Sequence, residues 1–104
     1  MKLSEIPRRE AGEGLEDYMR RALNAPSVSI GDLARWMDVQ RVALYQIKRG
    51  GGAAIGTITK FGALTGVVVR DGATIENLSL FGLLGYAEAG WSAREAAIAE
   101  ERKK

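Results

Sequence analysis

Residues 40–49 place Gln40, Arg41, Val42, Tyr45, Gln46 and Arg49 on the outward side of one short helical stretch. The chemistry available to that set is hydrogen bonding rather than bond making. A Gln amide offers a donor and an acceptor to adenine, and an Arg guanidinium offers paired donors to guanine. Val42 has the size to touch a thymine methyl, and the Tyr45 hydroxyl suits a phosphate oxygen. Val39, Ala43, Leu44 and Ile47 supply the inward side. The plain alternative is a polar face that merely meets water, and an outward Tyr and Val beside Arg argue against it.

Composition narrows the other choices. The 104 residues contain no histidine and no cysteine, so the usual general base, the best nucleophile, disulfides and the common zinc sites are all missing. No catalytic constellation, metal site or cofactor motif stands out, and an enzyme is the least favoured class. At 46% apolar and 27% charged the chain reads as one ordinary globular domain. No run of 18 apolar residues suggests a membrane span. The first ten residues lack the apolar core of a signal peptide, so the expected compartment is the cytoplasm.

Net charge is only +2, but it is unevenly spread. Residues 39–70 carry Arg41, Lys48, Arg49, Lys60 and Arg70 and no carboxylate; residues 71–101 carry six acids against Arg94 alone. A basic window beginning at the proposed reading helix is what sequence-independent DNA affinity needs.

Three elements must hold such a helix in place. Residues 30–37 predict a supporting helix, with Ser29 and Asp32 as its capping pair and Leu33, Ala34 and Met37 on one face. Asp38 follows, a residue type that tolerates a left-handed turn, and Gly50 predicts the end of the second helix. Residues 15–24 predict a helix in front of this pair, with Leu15, Tyr18, Met19, Ala22 and Leu23 inward and Pro26 stopping it. Arg20 and Arg21 near its end read as a solvated face first and as phosphate ligands second. Trp36 is expected at the edge of the core.

Leu33, Ala34, Val39, Leu44 and Ile47, so spaced, together with Ile47-Lys-Arg-Gly50, resemble the helix-turn-helix of the Cro and phage-repressor family, over roughly residues 15–67. Ile58-Thr-Lys-Phe-Gly-Ala-Leu-Thr-Gly-Val67 is similar to that family's next helix. Asp38 stands where the family usually has a turn glycine, and Ile30 where many members carry a phosphate-contacting Gln. The resemblance implies a mostly helical, lambda-repressor-like domain with a helix-turn-helix over residues 29–50. It further implies a sequence-specific transcription regulator of phage or bacterial type, bound to double-stranded DNA as a homodimer. Gln40, Arg41, Val42 and Gln46 would touch base edges. Ser29, Tyr45, Lys48, Arg49 and Lys60 would touch the backbone.

The remaining stretches are less specific. Residues 1–14 read as a flexible N-terminal arm or frayed terminus, residues 15–90 as the domain, and residues 91–104 as a charged C-terminal helix or tail. Gly50-Gly51-Gly52 reads as a hinge. Residues 53–67 have helical spacing but Gly and Thr content suited to strand or loop, and the resemblance favours helix. Val67 to Ile75, centred on Asp71-Gly72, carries a β-hairpin signal: a wing, a dimer strand or a plain loop. Residues 76–89 predict a helix apolar on more than one side, with Leu78, Phe81 and Leu84 as a subunit interface or simply its central packing. Ser92 and Glu95 predict a capping box opening a last, solvated helix after Gly90. Two other readings remain: a protein-interaction module such as an antitoxin or antirepressor, and an excisionase-like winged helix.

Overall fold

The computed structural model describes residues 1–67 and 80–103, with backbone alone for residues 80–85. Among the described residues the chain is a small helical domain: a short 3-10 turn at Leu3–Glu5, then α1 (Leu15–Leu23), α2 (Ile30–Met37), α3 (Arg41–Lys48), α4 (Ile55–Leu64) and α5 (Leu80–Arg102). No described helix is long and apolar enough to cross a membrane. The hairpin expected over residues 67–75 lies outside the described residues beyond Val67.

The core forms where the helical stripes meet. Tyr18, Met19, Ala22 and Leu23 of α1, Leu33, Ala34 and Met37 of α2, Leu44 and Ile47 of α3, and Phe61 and Leu64 of α4 are buried in one cluster. The Tyr18 and Phe61 rings lie 5.1 Å apart and tilted by 55°, a favoured aromatic geometry. Trp36 packs half-buried at the edge of this cluster, and its Nε1 has no hydrogen-bond partner among the described residues.

α2 has the bounds its sequence predicts. The Ser29 hydroxyl accepts from the Asp32 N–H at 3.2 Å, and Asp38 closes the helix at φ 54° and ψ 52°. The same closure ends three helices. A residue with positive φ donates to the third carbonyl back, and the next residue donates to the fifth. Asp38 and Val39 do this at 3.4 and 3.0 Å, Gly50 and Gly51 at 3.0 and 2.9 Å, and Gly66 and Val67 at 3.1 and 2.8 Å. Gly50, at φ 101°, needs the absence of a Cβ most.

α4 is a helix despite its content. Thr59 within it and Thr65 at its end turn their hydroxyls back onto the preceding turn, to the Ile55 and Phe61 carbonyls, both at 2.8 Å. Its small residues admit α5: a Cβ at Gly90 would collide with the Lys60 carbonyl oxygen and lie 2.9 Å from the Ala63 Cβ. This overturns two expectations. Gly90 does not end a helix, and Ser92 does not cap one; α5 runs unbroken over 23 residues. Gly90 is instead the crossing point, where close packing offsets its weak helix propensity.

The C-terminal helix is solvated on one side only. Ala87, Gly90 and Ala97 are buried, and Arg94 and Glu101 extend the same stripe. Arg94 donates to the Leu64 carbonyl at 3.1 Å, and Glu101 accepts from the Leu3 N–H. Residues 1–14, expected as a loose arm, are strapped to the body. Ile6 is buried, the Tyr18 hydroxyl donates to the Pro7 carbonyl at 2.6 Å, and Ser27 donates to the Glu5 carbonyl at 2.7 Å. The mixed charges that suggested a solvated arm find partners: Glu13 receives Arg21 at 2.8 and 2.9 Å. The Met1 amino nitrogen lies 2.8 Å from the Asp32 carboxylate.

Candidate nucleic-acid interface

α3 turns two faces in opposite directions. Leu44 and Ile47 are inside, while Gln40, Arg41, Val42, Tyr45, Gln46 and Arg49 are all exposed. Arg41, Tyr45 and Arg49 form one row along the helix, and Val42 and Gln46 the adjacent row. Val42 is 57% exposed and Tyr45 41%, so two apolar bodies stand in solvent between polar tips. Gln40 is the residue before the helix and makes no side-chain cap, which leaves its amide available.

The cations of this face differ from the arginines of α1 and α2. Among the described residues Arg41, Lys48, Arg49 and Lys60 have no ion-pair partner, whereas Arg20 and Arg35 each have two and Arg21 has one. Arg21 and Glu13 reinforce each other. The Arg21 guanidinium bonded to the Glu13 carboxylate holds the Glu13 pKa down, from the usual 4.5 to about 2, and that carboxylate raises Arg21. Burial pushes the Tyr18 hydroxyl up from its ordinary value.

Arg41 is steered by α2. Its guanidinium lies across Gly31, where an added Cβ would sit 3.2 Å from a terminal nitrogen and 3.4 Å from the guanidinium carbon. A larger residue at position 31 would shift that guanidinium.

Neither a family model, nor a curated protein, nor a solved structure matches this chain. The geometry of the site therefore carries the functional argument.

The remaining candidates divide. Ser29 is exposed, but its hydroxyl is already used as the α2 cap. Lys48 is half-buried at the edge of the α3 face. Lys60 is half-buried on α4, its backbone against Gly90 of α5. Leu78 lies outside the described residues, and for Phe81 and Leu84 the structure describes only their helical backbone. Two exposed apolar residues that the sequence reading passed over stand nearby: Ile55 at 54% and Tyr86 at 45%. The Tyr86 ring covers Gly56, beside Ile55. Ile55 opens one apolar helical pattern and Tyr86 closes another, which made both look like ordinary core.

Sequence reasoning also missed what α1 does for α3. Arg20, read as solvated, donates from Nε to the Ile47 carbonyl at 3.3 Å and from a terminal nitrogen to the Gly51 carbonyl at 3.2 Å. Asn24 donates to the Lys48 carbonyl at 3.3 Å.

Proposed function

We propose that α2, the turn at residues 38–40 and α3 act as a helix-turn-helix, with α3 reading the major groove of double-stranded DNA. The observation that carries this reading is the outer face of α3, where Arg41 and Arg49 lack internal partners and flank exposed Val42, Tyr45 and Gln46. A solvated face has no use for an outward Val and Tyr; a groove rewards both with methyl contacts and a phosphate bond. Gln40, Arg41, Val42 and Gln46 meet base edges in this reading, and Ser29, Tyr45, Lys48, Arg49 and Lys60 meet the backbone.

The function that follows is a sequence-specific transcription regulator of phage or bacterial repressor type, acting in the cytoplasm. It would work by occupying its operator. Two copies would place their α3 helices about 34 Å apart, one DNA turn, on a near-palindromic site. The exposed pair Ile55 and Tyr86, beside the helical turns bearing Phe81 and Leu84, supports a self-association surface on the α4–α5 side.

Selection of bound duplexes from a random library, followed by sequencing, tests the reading. It requires an enriched motif and an affinity that falls steeply as salt rises. Absence of enrichment, with affinity indifferent to salt, would favour the protein-interaction module, for which exposed Val42 and Tyr45 are also suitable contacts.

A further inference from the structure

α1 ends beside the end of α3, and Arg20 and the capping Asn24 grip that end. Arg20 reaches two acceptors with one guanidinium, the Ile47 carbonyl at 3.3 Å and the Gly51 carbonyl at 3.2 Å. One turn later the Asn24 amide bridges the Arg20 carbonyl at 2.8 Å and the Lys48 carbonyl at 3.3 Å. The acceptors are the last turn of α3 and the loop leaving it, where the negative end of the helix dipole concentrates; the Ile47 carbonyl accepts from Arg20 in addition to the Gly50 N–H. The same guanidinium also pairs with Glu16 at 3.3 Å and Asp17 at 3.6 Å on α1. Arg20 is thus engaged by carbonyls and carboxylates together and offers little charge to a nucleic acid.

We infer that Arg20 and Asn24 are positioning residues for the reading helix: they fix where the last turn of α3 sits, and with it Gln46 and Arg49. The inference rests on the DNA reading of α3 for its functional consequence, whereas the grip itself is a property of the unbound protein. A planar fork is needed because the two Arg20 acceptors lie on different residues; a lysine ammonium brings the same charge without that fork. This sets it apart from a phosphate contact, for which lysine serves nearly as well.

The test pairs Arg20→Ala with Arg20→Lys and follows two readouts. In the unbound protein, amide exchange at Gly50 and Gly51 is compared with that of Leu33 in α2. Loss of the grip speeds the former about threefold to tenfold relative to the latter, the scale of one ordinary hydrogen bond. With a mixed-sequence DNA duplex titrated over a salt series, Arg20→Ala weakens binding by a similar factor and leaves the salt slope unchanged. Arg20→Lys recovers little of either effect. A slope reduced by about one in Arg20→Ala and restored in Arg20→Lys would make Arg20 a phosphate ligand and overturn the inference. Unchanged relative exchange at Gly50 and Gly51 would overturn it as well. Should Arg20→Ala fail to fold, Asn24→Ala removes the bonds to the Arg20 and Lys48 carbonyls and leaves the guanidinium in place, and the exchange ratio is read the same way. If the unaltered protein binds no DNA, the reading of α3 fails, and the exchange ratios still decide whether the grip exists.

Discussion

Arg20 and Arg21 on α1 and Arg41 and Arg49 at the two ends of α3 are the same residue type on or beside helices of nine and eight residues, in opposite circumstances. The α1 pair is consumed by the fold. Arg20 holds the end of α3 and pairs with two carboxylates, and Arg21 closes on Glu13 and the Arg8 carbonyl. The α3 pair has no ion-pair partner among the described residues and stands beside exposed Val42, Tyr45 and Gln46. A cation already met inside the molecule is part of its architecture; the unmet pair on α3, in a window without carboxylates, is what the proposed reading assigns to an anionic partner. Counting basic residues would have treated the four alike.

Four experiments press on that contrast. The largest effect should come from the inward side of α3. Leu44 is fully buried, and Leu44→Ala should cost about 2–5 kcal/mol in chemical denaturation, taking the outward face with it. Tyr45→Ala, one residue along, should change stability by only about 0.5 kcal/mol or less. Next, Arg41→Ala or Gln46→Ala should cost about 1–3 kcal/mol of DNA affinity and relax preference at one base position, with the melting temperature unchanged. Binding to an operator library that is unaltered by both would remove α3 from the interface.

A smaller change is expected from Arg49→Ala: a roughly uniform loss across sequences and a salt slope shallower by about one. Arg21→Ala provides the contrast, lowering the melting temperature through the strap of residues 1–14 and leaving the salt slope intact.

The smallest effect is the acid response of that strap. Glu13 has its pKa depressed in the fold, so the stability it contributes is present above the usual 4.5 and is lost as pH falls toward about 2. A carboxylate-resolved NMR titration should show Glu13 as one of the last acids to protonate. The contacts of residues 1–14 should weaken in that same window, and Arg21→Ala should return Glu13 to the ordinary carboxylate range.

What could be read from the sequence follows distance along the chain. The bounds of α2, its Ser29 cap, the left-handed Asp38, the Gly50 closure and the outward set on α3 all depend on residues within about one turn of each other. Local chemistry dictates them. Arg20 escaped because its acceptors are backbone carbonyls 27 and 31 residues away, which leave no mark on side-chain pattern; the one available signal was Asn24 at i+4 on the same face. Gly90 was misread because glycine has two opposite uses, ending a helix and letting another backbone approach, and only the Lys60 carbonyl beneath it decides between them. The strap was misread for a related reason. Its paired charges look solvated until Arg21 is known to face Glu13.

The most direct test of the central claim is a salt series of duplex DNA binding by the unaltered protein beside an Arg41→Ala, Arg49→Ala double variant. The account predicts affinity that drops steeply with salt for the former, and a weaker, shallower dependence for the latter at equal thermal stability. Identical curves for the two proteins, or no binding by either at low salt, would contradict it.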